Sequence, residues 1–173
     1  MTLKIICAAV VIVGCGYLGI LFAARQKLRV RQIEDFLQFL KAVEFNIVFL
    51  RLPLTECLGR IAMGSEGVLR KILEEAGSYL IKHKGAGFGE AWDLAVEKNK
   101  RGICTGDDVL ETLSAFAARF GSGDDEREKN NIAFASAKLQ YIRDGFDGRL
   151  QSDMKLYRGL GFLSGILVVI LLF

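Results

Sequence analysis

Apolar positions divide the chain into two apolar ends and a long amphipathic middle. Residues 5–24 carry no charged side chain, and at about 1.5 Å per residue they would form a helix long enough to cross a bilayer. Residues 159–173 are equally apolar but shorter, so we expect a short second span. Between the two ends, apolar side chains recur every three or four residues, which predicts helices.

Proline and glycine separate the helices that this middle region predicts. Pro53 should end the first helix, and a short helix from Leu54 to Met63 follows. Further helices are expected over 68–80, 88–96 and 109–120, and a last one begins at the acidic turn after Gly121. Residues 98–102 are expected to form a loop, and Thr105-Gly106-Asp107-Asp108 has the spacing of a capping box.

We therefore predict an all-α protein with three parts. These are an N-terminal transmembrane helix (1–24), a cytoplasmic α-helical bundle (25–157) and a C-terminal transmembrane helix (158–173). Basic residues flank the bundle side of both spans: Arg25, Lys27, Arg29, Arg31, Lys155 and Arg158. Because Lys and Arg near a span stay on the cytoplasmic side, we expect a two-span cell-membrane protein with both termini outside.

The first apolar segment admits two other interpretations. A cleaved secretory signal would have a shorter apolar core than residues 5–24. Ile12-Val13-Gly14-Cys15 resembles a lipoprotein cleavage box, and lipidation of Cys15 would place the helical domain outside the cytoplasm. Against this, only Lys4 precedes the box and the apolar run continues to Phe22. The membrane-bound lipoprotein with an exported helical interaction domain stays the alternative.

Small residues recur four apart in both predicted spans. Gly19 and Ala23 lie in the first span, and Gly161 and Gly165 lie in the second. Such spacing lets helix backbones approach closely in a membrane. We expect these four residues to mediate packing between spans.

Charge and cysteine content exclude several classes of protein. The 173 residues carry a formal net charge of +3, which argues against binding nucleic acid. The four cysteines form no Cys-x-x-Cys pair, so neither a zinc site nor a disulfide framework is predicted. We expect no metal and no cofactor.

An enzymatic function has few candidate residues. His83 is the only histidine, and it follows a predicted helix in a predicted surface turn, where a cation stabilises the helix end. A nucleophile such as Cys57 or Cys104 would need a base within hydrogen-bond reach. The chain also lacks a Gly-Lys-Ser/Thr phosphate-binding loop, so we predict that it is not an enzyme and not an ATPase.

Two sets of residues are candidates for partner binding. Phe39, Phe45 and Phe49 form a second apolar stripe on the first helix, which widens its apolar face. Four acids, Asp124, Asp125, Glu126 and Glu128, begin the last helix. Burial within the domain is the favoured interpretation of the aromatic stripe, and stabilisation of the helix start is the favoured interpretation of the acids.

Four segments together resemble the stage III sporulation protein AB family. They are Leu-Pro-Leu-Thr-Glu-Cys-Leu at 52–58, Gly-Glu-Ala-Trp at 89–92, Phe-Gly-Ser-Gly-Asp at 120–124 and the apolar ending at 160–172. Their order and the terminal anchors extend the resemblance over the whole chain. Glu128 departs from the family pattern, in which a glutamine is expected soon after the Gly-x-x-Asp turn.

The resemblance implies a fold and a role. The family is similar to a single cytoplasmic domain of the type II secretion platform protein, an all-helical bundle. A member would be a non-catalytic scaffold in the secretion-like complex that links mother cell and forespore during endospore formation, in the mother-cell membrane around the forespore. The implied partners are membrane lipid, a cytoplasmic secretion-type ATPase and other membrane proteins of the complex, and homo-oligomers are left open.

Overall fold

The structure is a computed structural model that describes residues 24–121 and 124–146. These residues form α1 over 24–43, α2 over Leu54–Gly64, α3 over Gly67–Lys82, α4 over Phe88–Asn99, α5 over Asp107–Arg119 and α6 over 125–146. A π-helix, Glu44–Phe49, continues α1, and a 3-10 turn, Lys100–Gly102, follows α4. The described residues contain no β-strand, so the all-α prediction is confirmed for this part of the chain.

Two local predictions are wrong. The expected loop at 98–102 is instead the end of α4 and the 3-10 turn, because Lys98 and Asn99 prolong the helix and Asn99 Nδ2 donates to Ala95 O at 2.9 Å. The capping box is also absent: α5 begins at Asp107 with Gly106 as its N-cap, and Thr105 makes no capping bond.

Other helix limits follow the sequence closely. Pro53 separates the first helix from α2 and is the N-cap residue of α2. Gly85 adopts φ +103°, a left-handed conformation in which a residue without Cβ avoids steric strain. The chain therefore turns after α3 where the glycine predicts it.

Residues Arg29–Arg143 form one compact unit, and its core centres on Trp92 of α4. Phe39 of α1 stacks on the indole at a centroid distance of 5.4 Å, and Phe36 and Phe88 meet it edge-on at 6.4 and 5.9 Å. Phe116 of α5 lies edge-on to Phe39 at 6.4 Å. Aromatic pairs at these separations each add about 0.5–1.5 kcal/mol beyond area burial. Trp92 is therefore a core residue.

Side-chain hydrogen bonds tie the ends of the helices to this core. The Gln32 amide is buried in α1, where Nε2 donates to Gly102 O at 2.9 Å and Oε1 accepts from Cys104 N at 2.7 Å. On α6, Asn131 Nδ2 donates to Phe116 O at 3.0 Å. These bonds fix the loop before α5 and the position of α6.

Within residues 24–121 and 124–146, no helix is both long and apolar enough to cross a membrane. The predicted spans, 1–24 and 158–173, lie outside these residues apart from Ala24. The packing residues Gly19, Ala23, Gly161 and Gly165 lie outside them as well. The anchors, and the domain limits at 25 and 157, stay predictions.

Candidate functional site

The π-helix at the end of α1 presents apolar side chains to solvent. Its wider turn is closed by a bond over five residues, in which Leu50 N donates to Phe45 O at 3.1 Å. Asn46, which is buried, turns its side chain back so that Nδ2 donates to Ala42 O at 2.7 Å. Short π-helical segments inside helices frequently mark functional sites. This one leaves Phe45 57% exposed and Phe49 69% exposed.

These exposed side chains lie together. The Phe45 and Phe49 rings are 6.2 Å apart between centroids, and Leu50 beside them is also exposed. Large apolar side chains grouped on a surface are typical of a site that another molecule covers. Phe45, Phe49 and Leu50 form the aromatic patch.

Arg51, directly after this patch, has a strained backbone. It adopts φ +51°, the only positive φ among the described residues other than glycine, while Leu52 N donates to Asn46 O at 3.0 Å. Left-handed conformations at residues with a Cβ cost about 1–3 kcal/mol and often occur at functional sites. The Arg51 guanidinium Nη2 donates to the Asp125 carboxylate at 3.2 Å, and both side chains are exposed.

The acids around Asp125 divide into structural and exposed residues. Asp124 caps α6, because its Oδ1 accepts from Glu126 N at 3.1 Å and its Oδ2 pairs with Arg127 Nε at 3.3 Å. Asp125 and Glu126 point into solvent in the first turn of α6. Asp124 thus stabilises the helix start, the interpretation that the sequence favours for the acids, and Asp125 and Glu126 offer two exposed carboxylates.

The fold brings the two predicted contact sets to one surface. An open groove of about 660 Å³ is lined by Ile47, Arg51, Leu52, Asp124 and Asp125. Asp125 is 74 residues from Arg51 in sequence, so only the packing of α6 beside the end of α1 joins them. We define the aromatic patch, this groove and Glu126 as the docking surface.

Two predicted contact residues do not reach this surface. Phe39 is 1% exposed because its ring stacks on Trp92 in the core. Glu128 is 5% exposed, and its Oε1 accepts a hydrogen bond from Gly121 N at 2.7 Å. Their assignment as contact residues is therefore wrong, since each side chain is used within the domain.

Sequence reasoning did not identify three residues of the groove as contact residues. Ile47 belongs to the first apolar stripe of the first helix and Leu52 to the second, while Arg51 lies at the predicted helix end. Pro53 predicts an extended residue at Leu52, but no pattern near Arg51 predicts its left-handed backbone or its pairing with Asp125.

The candidate catalytic residues have other local roles. Burial raises the pKa of the Cys57 thiol to about 11, so it is protonated at neutral pH and is a poor nucleophile. His83 is exposed, its ring stacks on Tyr79 at 4.2 Å, and Nδ1 lies 3.2 Å from Tyr79 O at the end of α3. The described residues include no group of three or more His, Cys, Asp or Glu side chains that could hold a metal.

Comparisons with known proteins agree with one another. The model of the stage III sporulation protein AB family matches residues 4–173. A relative from Bacillus subtilis (strain 168), stage III sporulation protein AB, is 23% identical over 171 residues, covering 98% of this chain and 99% of the relative. A solved structure of a stage III sporulation protein AB is similar with a TM-score of 0.66 and 19% identity over 72% of this chain and 97% of that one.

Proposed function

We propose that this chain, which belongs to the stage III sporulation protein AB family, is a non-catalytic platform subunit that docks a cytoplasmic secretion-type ATPase. The complex would link mother cell and forespore during endospore formation. The family match spans nearly the whole chain, so the resemblance predicted from the residues is correct. The platform role and the ATPase are the further steps that we propose.

The docking surface is the observation that carries this proposal. Exposed aromatic side chains and a neighbouring charged rim are typical of protein interfaces. Phe45 and Phe49 supply the aromatic part, and Asp125 and Glu126 supply the acidic part. A partner that covers Phe45 and Phe49 would also reach Asp125, because Arg51 near the end of the π-helix is paired with it.

The environment of the thiols favours a structural role over an enzymatic one. Cys57 is buried in α2 with a raised pKa, and Cys104 contributes its backbone N–H to the Gln32 bond that fixes the loop before α5. A nucleophile needs a lowered pKa or an adjacent base, and Cys57 has the opposite environment. We therefore assign no reaction to the chain.

Membrane attachment is part of the proposal. A motor that acts on a membrane complex needs an anchored subunit to act on, and the apolar segments 5–24 and 159–173 would supply two anchors. The basic residues beside them favour a helical domain on the cytoplasmic side, the compartment in which the ATPase would work.

Charge reversal at the docking surface tests the ATPase contact. Asp124 caps α6 and should be kept, so the test variant is Asp125→Lys with Glu126→Lys in the full chain. We expect this variant to lose co-purification with the purified ATPase while its helix content, measured by circular dichroism, stays unchanged. Exposed substitutions of this kind change stability by about 0.5 kcal/mol or less.

A matched control reverses two exposed acids elsewhere, Glu97→Lys with Glu111→Lys, and should co-purify with the ATPase as the unmodified chain does. Phe45→Ala with Phe49→Ala tests the aromatic part in the same assay and should also lose the ATPase. Unchanged co-purification in both surface variants would exclude this surface. Absence of binding by the unmodified chain would exclude the ATPase as a direct partner.

A further inference from the structure

The Arg51–Asp125 ion pair occupies the acidic side of the docking groove. Its N to O distance is 3.2 Å, and the two side chains are 79% and 55% exposed. Ion pairs this exposed contribute little to stability. Arg51 nevertheless makes the pair from a left-handed backbone that disfavours any residue with a Cβ. The pair is thus a poor candidate for holding the fold together.

The groove would bind a partner segment of a particular chemistry. Ile47 and Leu52 provide apolar walls, and Asp124 and Asp125 provide two carboxylates against the single guanidinium of Arg51. Asp124 is already engaged by Glu126 N and Arg127, whereas Asp125, among the described residues, pairs with Arg51. A basic side chain flanked by apolar residues is complementary to this arrangement.

We propose that Arg51 is a latch that a basic side chain of the docked partner displaces from Asp125. The partner segment would place its apolar residues against Ile47, Leu52 and the aromatic patch and its Lys or Arg on the Asp125 carboxylate. Arg51 then turns into solvent, where its guanidinium is fully hydrated. The inference rests on the proposed docking function, and it names the side-chain chemistry that the docking surface recognises.

Substituting each residue of the ion pair separately tests the latch, because the two substitutions should change the affinity for the ATPase in opposite directions. In the full chain, Arg51→Gln frees Asp125 and should strengthen binding of the purified secretion-type ATPase by about two- to fivefold, the range that an exposed ion pair supports. Asp125→Asn removes the carboxylate that receives the basic side chain and should weaken binding by about tenfold or more. If the pair only maintained the shape of the surface, both substitutions would change the affinity in the same direction.

The double variant separates the latch from a general effect of charge. Arg51→Gln removes a positive charge near the groove, and this loss alone would favour binding of a basic partner. A latch acts only through Asp125, so Arg51→Gln with Asp125→Asn should bind as weakly as Asp125→Asn alone. Arg60→Gln, which breaks the exposed pair with Glu56 in α2, is the matched distant control and should leave the affinity unchanged.

Each outcome decides the inference. Opposite shifts for the single variants, with the double variant equal to Asp125→Asn, support the latch. Shifts in one direction, no shift for Arg51→Gln, or strengthening by Arg51→Gln on the Asp125→Asn background overturn it while the docking function stands. Absence of ATPase binding by the unmodified chain overturns the docking function itself and the latch with it.

Discussion

Side chains of the same type have different roles in this domain, because different elements pack against them. Phe39 and Phe45 belong to one apolar stripe of the sequence, yet one ring stacks on Trp92 and the other faces solvent. Glu128 and Glu126 belong to one acidic run, yet one carboxylate is buried against Gly121 N and the other is exposed. A side chain's role here depends on which other element reaches it.

The buried thiol of Cys57 should make the free energy of unfolding depend on pH. Its pKa is about 11 in the fold, compared with the ordinary 9.0, so the folded thiol holds its proton more tightly than the unfolded one. The stabilisation is therefore fully present below about pH 8 and is lost as the pH rises, by about 2 kcal/mol between pH 9 and 11.

The free energy of unfolding, measured by urea denaturation of the chain in detergent at several pH values, checks this effect. Because lysines and tyrosines titrate in the same range, the informative quantity is the difference between the unmodified chain and Cys57→Ala. That difference should shrink by this amount between pH 9 and 11. Cys104→Ala removes an exposed thiol and is the matched control.

At the scale of elements, one glycine sets the approach of α4 to α5. A Cβ placed on Gly89 would lie 2.8 Å from Ala118 Cα and 3.2 Å from Ala118 N, and backbone atoms cannot move aside as a side chain can. Ser114 Oγ, which donates to Asp93 Oδ1 at 2.7 Å, holds the same pair of helices together. The close contact therefore requires glycine for space rather than for a special φ.

Two alanine substitutions that should change the free energy of unfolding in opposite directions test this packing. Gly89→Ala should lower the free energy of unfolding by about 1–3 kcal/mol, because the helices must separate to admit the methyl group. Gly59, inside α2 with nothing within 4 Å of its would-be Cβ, is the matched control. Gly59→Ala should raise stability by about 0.5–1 kcal/mol.

Denaturation followed by fluorescence of the single tryptophan, Trp92, measures both changes, since this side chain lies in α4 beside the contact. If both substitutions changed the free energy of unfolding equally, α4 and α5 would not be as close as the 2.8 Å from a Gly89 Cβ to Ala118 Cα implies.

At the scale of the whole molecule, the proposed function requires that the helical domain lie on the cytoplasmic side of a membrane. A cytoplasmic ATPase reaches the docking surface only if residues 29–143 face the cytoplasm. The loop after α3 suits a labelling experiment, but Gly85 does not, because φ +103° strains any other residue there. Lys84 is exposed in the same loop and is the better site for a cysteine.

We expect Lys84→Cys, in a chain whose four natural cysteines are replaced, to react with a membrane-impermeant maleimide only after lysis. Thr2→Cys in the same background is the control, since the basic residues after the first apolar segment predict an external amino terminus. It should react in intact cells. Reaction of Lys84→Cys in intact cells would place the domain outside and remove direct contact with a cytoplasmic ATPase.

The sequence by itself determined where helices lie and what family the chain belongs to. Helix limits depend on interactions within one turn, so Pro53 and Gly85 mark ends that the structure reproduces, and Asp124 marks the start of α6. The predicted capping role of Thr105 is wrong because the neighbouring Gly106, which can also serve as an N-cap, is the N-cap of α5.

Only the tertiary structure decided which residues form the docking surface. Periodicity shows that a residue lies on an apolar face, but it cannot show whether another element covers that face. Trp92 covers Phe39, whereas none of the described elements covers Phe45 and Phe49, which stay exposed. The Arg51–Asp125 pair joins residues 74 apart, and such pairing arises from the packing of α6 near α1 rather than from any local pattern.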